Sequence, residues 1–132
     1  MADLAAVTVG EVAAVEVIEQ WTLPAGEAID AGEVVGIDAN GLAVLADANP
    51  AVTCKGIAIN SANQAGITIT AVRRGIVDIG DVMDAMGIGD AVYISDTAGL
   101  LADAQVNGVA AIGEVVPAWG AVAVDKLLRI NV

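Results

Sequence analysis

Two segments of the chain resemble each other, and this repeat limits the folds that the sequence can adopt. Residues 32–42 read GEVVGIDANGL and residues 89–100 read GDAVYISDTAGL. Gly32 and Gly89 are 57 positions apart, as are Gly56 and Gly113 in a second match, KGIA against IGEV. The shared offset predicts one β-unit used twice in a small barrel-like domain. Chance similarity within a chain rich in Gly, Ala and Val is the alternative.

Short apolar segments separated by turn residues continue along most of the chain. The clearest strand is predicted at residues 65–72, where Ile67 and Ile69 alternate with Thr68 and Thr70. We expect Arg73-Arg74-Gly75 to interrupt it and residues 76–79 to resume it. About ten short strands and at most one short helix, at residues 81–86, predict an all-β domain: a small barrel, a tulip-like barrel or a sandwich.

The length of 132 residues favours one domain. We expect an N-terminal arm or strand over residues 1–23 and a β-domain over residues 24–132. The β-domain contains the repeat, at about residues 32–60 and 89–116. Because Phe is absent, the core has to be built from Val, Ile, Leu and Ala, and we expect self-association to add buried area.

The charge excludes two classes of partner. The chain has 17 acidic and five basic residues, a net charge of −12. Such a field opposes binding to nucleic acid or to an anionic membrane. The start of the chain lacks the basic residues of a secretory signal, so we expect synthesis in a cytoplasm.

The sequence offers little for catalysis, and we expect neither an enzyme nor a cofactor. Histidine, the commonest general base, is absent, and Ser61 and Ser95 lie in or beside predicted turns. The single cysteine, Cys54, rules out a disulfide framework and is expected to pack as a small hydrophobic side chain within a strand over residues 52–59.

Three aspartates are the best candidates for a metal site. Asp78, Asp81 and Asp84 are spaced so that a helical turn would gather two of them on one face, and carboxylate oxygens are typical Ca²⁺ ligands. The spacing does not match the calcium loop of an EF-hand. Ordinary acidic loop residues are the favoured interpretation, and a carboxylate or metal-dependent hydrolase ranks last among the functions.

Arginine and tryptophan suggest where a partner is contacted. Arg73 and Arg74 form the only basic pair, which serves either as an interface anchor or in a local salt bridge with Asp78 or a glutamate. Trp21 and Trp119 are two of only three large rings. We expect Trp119 in the core and leave Trp21 open between core and interface.

The order of these features resembles that of the tailed-bacteriophage capsid decoration, or cement, proteins, including the lambda-type head decoration proteins. The residues that carry the resemblance are 24–26, 31–36, 55–58, 74–77, 88–93, 111–115 and the last alternating strand. Similarity begins at about Pro24, and its motifs are structural glycines and apolar strands.

The resemblance implies a virion structural protein on the outer capsid surface. It would be made in the host cytoplasm and would bind the major capsid protein as a homotrimer at three-fold positions. The residues expected at the capsid or subunit interface are Val7, Val9, Val12, Val15, Val17, Trp21, Arg73 and Arg74. A β-barrel module that binds a carbohydrate or a peptide is the alternative function, although three large rings are few for a sugar site.

Overall fold

A computed structural model describes residues 3–48, 51–118 and 126–132. The described residues contain one 3₁₀ turn, Val9–Glu11, and eleven strands. The strands are β1 (Val12–Pro24), β2 (Val34–Ile37), β3 (Ala43–Leu45), β4 (Asp47–Ala48), β5 (Ala51–Val52), β6 (Gly56–Ala58), β7 (Thr68–Ile79), β8 (Ala91–Ile94), β9 (Leu101–Ala102), β10 (Gly113–Pro117) and β11 (Lys126–Asn131).

Nine of these strands form one antiparallel sheet, which confirms the predicted all-β class. Its order is β3-β2-β6-β7-β11-β10-β8-β9, with β1 paired to β7, while β4 and β5 form a separate pair. The sheet curls into a half-barrel. The turn before β9 is joined to the β2–β3 end of the sheet by backbone hydrogen bonds, from the Val34 N–H to the Gly99 carbonyl at 3.1 Å and from the Gly99 N–H to the Ala46 carbonyl at 2.9 Å.

The two halves of the sheet have the same strand arrangement, β3-β2-β6-β7 from one end and β9-β8-β10-β11 from the other. We call β2, β3, β6 and β7 the N-terminal half-sheet, and β8, β9, β10 and β11 the C-terminal half-sheet. The pairs Val34–Ile57, Val35–Gly56 and Ile57–Val72 of the first correspond to Ala91–Glu114, Val92–Gly113 and Glu114–Arg129 of the second. Every partner is displaced by the 57 positions that separate the sequence copies.

Strand β7 lies at the centre of the sheet. It continues without interruption through residues 73–75, so the prediction of a break there was wrong. It pairs with β6, β11 and β1. Gly75 makes this possible because its φ of +146° is available to glycine, and a Cβ there would overlap the Glu16 carbonyl oxygen. The pairing of β1 with β7 absorbs the irregularity in three register shifts.

The core consists of small aliphatic side chains, as the composition requires. The larger cluster includes Val34, Ile57, Val72 and Leu128, each with no exposed surface. A smaller cluster, which includes Val35 and Ala71, lies beneath Trp21 and the loop before β2. In the described part of the chain Ser95 is the buried polar residue, and its Oγ donates to the Asp3 carboxylate at 2.6 Å.

Two local predictions need correction. Residues 81–86 form successive turns instead of a helix, with i to i+3 hydrogen bonds such as Met86 N–H to the Met83 carbonyl at 2.9 Å. The strand predicted over residues 52–59 is two strands, β5 and β6, because residues 53–55 leave the ladder. Cys54 is buried as expected, but it lies between these strands.

The N-terminal segment packs against the rest of the domain and is not a free arm. Asp3 bridges Ala102, and the Leu4 N–H donates to the Leu101 carbonyl at 3.0 Å. Val7 packs directly on Gly32: a Cβ atom added to this glycine would lie only 2.6 Å from the Val7 side chain. Residues 3–7 therefore belong to the folded body. Trp119, predicted in the core, lies outside the described residues.

Candidate contact surface

Strand β1 is the longest strand and the least buried. None of its 13 residues is buried, and β7 is its strand partner within the described residues. A strand paired along one edge presents unpaired N–H and C=O groups along the other edge. Charged Glu16 and Glu19, the register shifts and the terminal Pro24 are features that discourage indiscriminate pairing at such an edge.

Arg73 and Arg74 converge on Glu19 of β1. The Arg73 Nη1 lies 3.3 Å from Glu19 Oε1, and the Arg74 Nε lies 3.8 Å from Glu19 Oε2. The local salt bridge to a glutamate is therefore formed, while the Asp78 carboxylate instead accepts the Gly80 N–H at 2.8 Å. Because all three side chains are well exposed, the pairs contribute about 1 kcal/mol or less each to stability.

A recess of about 550 Å³ lies beside these pairs, where β1, β7 and β11 meet. Its polar lining consists of Glu16, Arg74, Arg129 and Asn131, and its apolar lining consists of Ile18, Gly75, Ile76 and Ile130. Arg129 is also ion-paired to Glu114 of β10. The recess therefore combines two guanidinium groups, one carboxylate and one amide with apolar side chains.

Trp21 fixes β1 to the body of the domain. Its indole Nε1 donates to the Lys55 carbonyl at 2.9 Å, and its half-buried ring packs on the smaller core cluster with Leu45. The ring is therefore engaged in both packing and hydrogen bonding. It does not form the exposed aromatic platform that a carbohydrate site uses.

The predicted interface valines fall into two groups. Val7, Val12 and Val15 are half-buried, whereas Val9 and Val17 are 46% and 43% exposed. Sequence reasoning missed Ile18, which is 69% exposed. Strict alternation would place the Val17 and Ile18 side chains on opposite faces of β1. The register shift between Val17 and Glu19 leaves both side chains in solvent.

The three aspartates, for which ordinary acidic loop residues were the favoured interpretation, are not gathered on one face by a helical turn. A helical turn was needed to bring two of the carboxylates onto one face, but residues 81–86 fold into successive turns instead. Across the described ranges, no group of three or more Cys, Asp or Glu side chains is arranged to hold a metal ion. Asp84 and Asp81 are connected through the backbone, by an N–H to carbonyl bond of 3.1 Å.

Burial affects two titratable groups, Glu33 just before β2 and Cys54 between β5 and β6. Burial raises the pKa of Glu33, although the hydrogen bond from the Asp30 N–H opposes the effect, and the nearby charges of Asp30 and Glu27 add to it. Burial also raises the pKa of Cys54 to about 12. A thiol in this state is a poor nucleophile.

The chain has no counterpart in any of three comparisons: no family model, curated protein or solved structure matches it. The described residues contain no helix with the length and apolar character needed to cross a membrane. An exposed strand edge flanked by arginine–glutamate pairs offers main-chain hydrogen bonds and exchangeable ion pairs. This chemistry suits the binding of a protein surface.

Proposed function

We propose that this chain is a non-enzymatic virion structural protein that decorates and stabilises the outer surface of a tailed-phage capsid. In this proposal trimers sit at three-fold positions and bind the major capsid protein. The observation that carries it is strand β1, with 13 residues, none of them buried, and one open edge. A strand of this kind is suited to a partner that covers it.

The open edge gives affinity without a deep pocket. An extended segment of the shell can add to β1 through main-chain hydrogen bonds, while exposed Val9 and Val17 give local apolar contact. Arg73 can exchange Glu19 for an acidic group of the shell. Exchange of ion pairs of this kind fixes the position of the shell segment along β1 more than it increases the affinity.

The acidic charge and the high copy number of a decoration protein fit together. A net charge of −12 keeps the free protein soluble and away from the packaged nucleic acid. Many copies on one shell act together, so modest individual contacts suffice to hold the shell closed.

The direct test uses expanded shells of the phage that encodes this chain, prepared without decoration protein. We expect the purified chain to co-sediment with the shells and to raise their disruption temperature in calorimetry. Changing both exposed valines, Val9→Glu and Val17→Glu, should weaken binding by at least about tenfold, because two charges would have to be desolvated. Absence of binding by the wild-type chain would contradict the proposal.

Ile88→Glu provides the matched control for that experiment. Ile88 is also exposed, at 54%, but lies in the turn before β8 and away from β1. The control variant should bind shells like the wild type. Equal loss of binding in both variants would show that added charge, and not the β1 surface, governs attachment.

A peptide-binding module remains the alternative function, because the open edge of β1 also suits strand addition by a free peptide. A peptide library should then yield binders whose affinity is lost when β1 is altered. Binding of free peptides without binding of shells would favour this alternative over capsid decoration.

A further inference from the structure

The charges around the recess cancel, unlike those of the rest of the molecule. Three glutamates and three arginines lie here, at Glu16, Glu19, Glu114, Arg73, Arg74 and Arg129. The chain has 17 acidic and five basic residues in total, so the remaining 14 acidic and two basic residues carry the whole net charge of −12. This neutral patch is where a second copy of the chain meets the least repulsion.

The patch also combines a protrusion with a recess. Ile18 is the most exposed of the large apolar side chains described, and it stands at the rim of the 550 Å³ recess. Gly75 and the exposed edge of Ile76, whose relative exposure is 6%, contribute apolar lining, and Arg74 and Arg129 contribute donors. An isoleucine of one copy can therefore enter the recess of another, with arginine–glutamate pairs formed around it.

We propose that this surface, made of Glu16, Ile18, Glu19, Arg74 and Arg129, is the contact between copies of this chain. Ile18 of one copy occupies the recess of the next, and Glu16 or Glu19 pairs there with Arg74 or Arg129. In this arrangement each copy offers Ile18 to one neighbour and its recess to the other, so the contact runs head to tail and closes into a ring of three when the rotation permits. The assignment rests on the trimer of the proposed function.

The first test measures mass in solution by light scattering and analytical ultracentrifugation. The wild-type chain should have a mass several times the 13.1 kDa of one chain, and Ile18→Glu should have the mass of one chain. Ile88→Glu should behave like the wild type, since Ile88 is exposed elsewhere. A monomeric wild type, or equal masses for the two variants, would overturn the proposal.

A charge exchange tests the pairing between copies. One variant carries Arg74→Glu and Arg129→Glu, and the other carries Glu16→Arg and Glu19→Arg. Each alone should have the mass of one chain, because its surface repels itself. A chain that carries all four substitutions should regain the assembled mass, because every contact again pairs opposite charges. A four-substitution chain that stays monomeric would refute the trans pairing, provided that circular dichroism shows the variants folded.

The outcomes separate this inference from the proposed function. A chain that assembles through Ile18 but leaves shells unbound would refute capsid decoration and leave the copy contact standing. A monomeric chain that nevertheless binds and strengthens shells would refute the copy contact alone.

Discussion

The two half-sheets share one pattern of strand pairing but bury different faces. In the N-terminal half-sheet the cross-strand pair Ile57–Val72 has no exposed surface. Its counterpart in the C-terminal half-sheet is Glu114–Arg129, an ion pair with side chains 37% and 59% exposed. Strand register is therefore independent of whether a face becomes core or surface.

This difference explains where the contact surface arises. The N-terminal half-sheet is packed on both faces, by the main core and by the smaller cluster beneath Trp21. In the C-terminal half-sheet Val92 and Leu128 face the core, while Arg129 lines the recess beside β1 and its partner Glu114 lines a neighbouring depression. One half-sheet is thus packed on both faces, while the other leaves the Glu114–Arg129 pair exposed.

The strongest test of the comparison exchanges the two pairs. Placing the charged pair in the N-terminal half-sheet, Ile57→Glu with Val72→Arg, should lower the free energy of unfolding by about 3 kcal/mol or more, because both charges must be desolvated. The reciprocal change, Glu114→Ile with Arg129→Val, should alter it by about 1 kcal/mol or less. Urea denaturation measures both, and equal effects would contradict the assigned burial.

A second test uses equivalent glycines. Gly32 and Gly89 have nearly the same φ, +92° and +90°, but Val7 packs on Gly32 while no atom approaches a Cβ at Gly89. Gly89→Ala should cost about 1–2 kcal/mol from the backbone alone. Gly32→Ala should cost about 1 kcal/mol more, because Val7 must move. Equal losses of stability would show that the N-terminal segment does not pack on Gly32.

A third test compares thiol reactivity at equivalent positions. Cys54 is buried with a pKa of about 12, whereas Ala111, 57 positions later, is exposed. In a Cys54→Ala background, Ala111→Cys should react with iodoacetamide at least about tenfold faster than Cys54 does in the native wild type. Similar rates in the folded proteins would contradict the difference in burial.

The smallest effect concerns two equivalent acidic turns. Glu33 and Asp90 each accept the backbone N–H of the residue three positions earlier, at 2.7 and 2.8 Å. Because the folded pKa of Glu33 is raised, its ionisation destabilises the fold above that pKa, and the cost disappears as pH falls below the unfolded pKa.

Glu33→Gln keeps the acceptor oxygen and removes this cost. Its thermal stability should exceed that of the wild type near neutral pH, by about 0.5 kcal/mol or less, and the gain should vanish below about pH 4. Asp90→Asn is the matched variant for the equivalent turn. A gain for Glu33→Gln that persists unchanged in acid would contradict the role of ionisation.

The class of fold was readable from the sequence because turn chemistry and alternation are local signals. Gly32, Gly41, Gly89 and Gly99 all have positive φ and lie in turns or bends of the two repeat segments. The break predicted at Gly75 was wrong because pairing with β1 keeps this glycine within the strand, where it lies against the Glu16 carbonyl oxygen. Likewise, residues 81–86 have helical spacing but are held in turns, with Met83 and Met86 buried in the core.

The candidate surface could be predicted only in part. Arg73, Arg74, Val9 and Val17 were predicted from charge and position, and the structure shows the two valines exposed and the two arginines paired with Glu19. Ile18 was missed because its exposure depends on register shifts between strands distant in sequence. Arg129 and Glu114 were missed because only the comparison of the two half-sheets reveals that their face is open.

Hydrogen exchange on shell-bound protein tests the central claim most directly. Amides of residues 12–24 should exchange more slowly on the shell than in the free chain, while those of β2 and β6, already buried, should change little. Protection confined to other regions, with β1 exchanging as fast on the shell as in solution, would contradict the assignment of β1 as the contact strand.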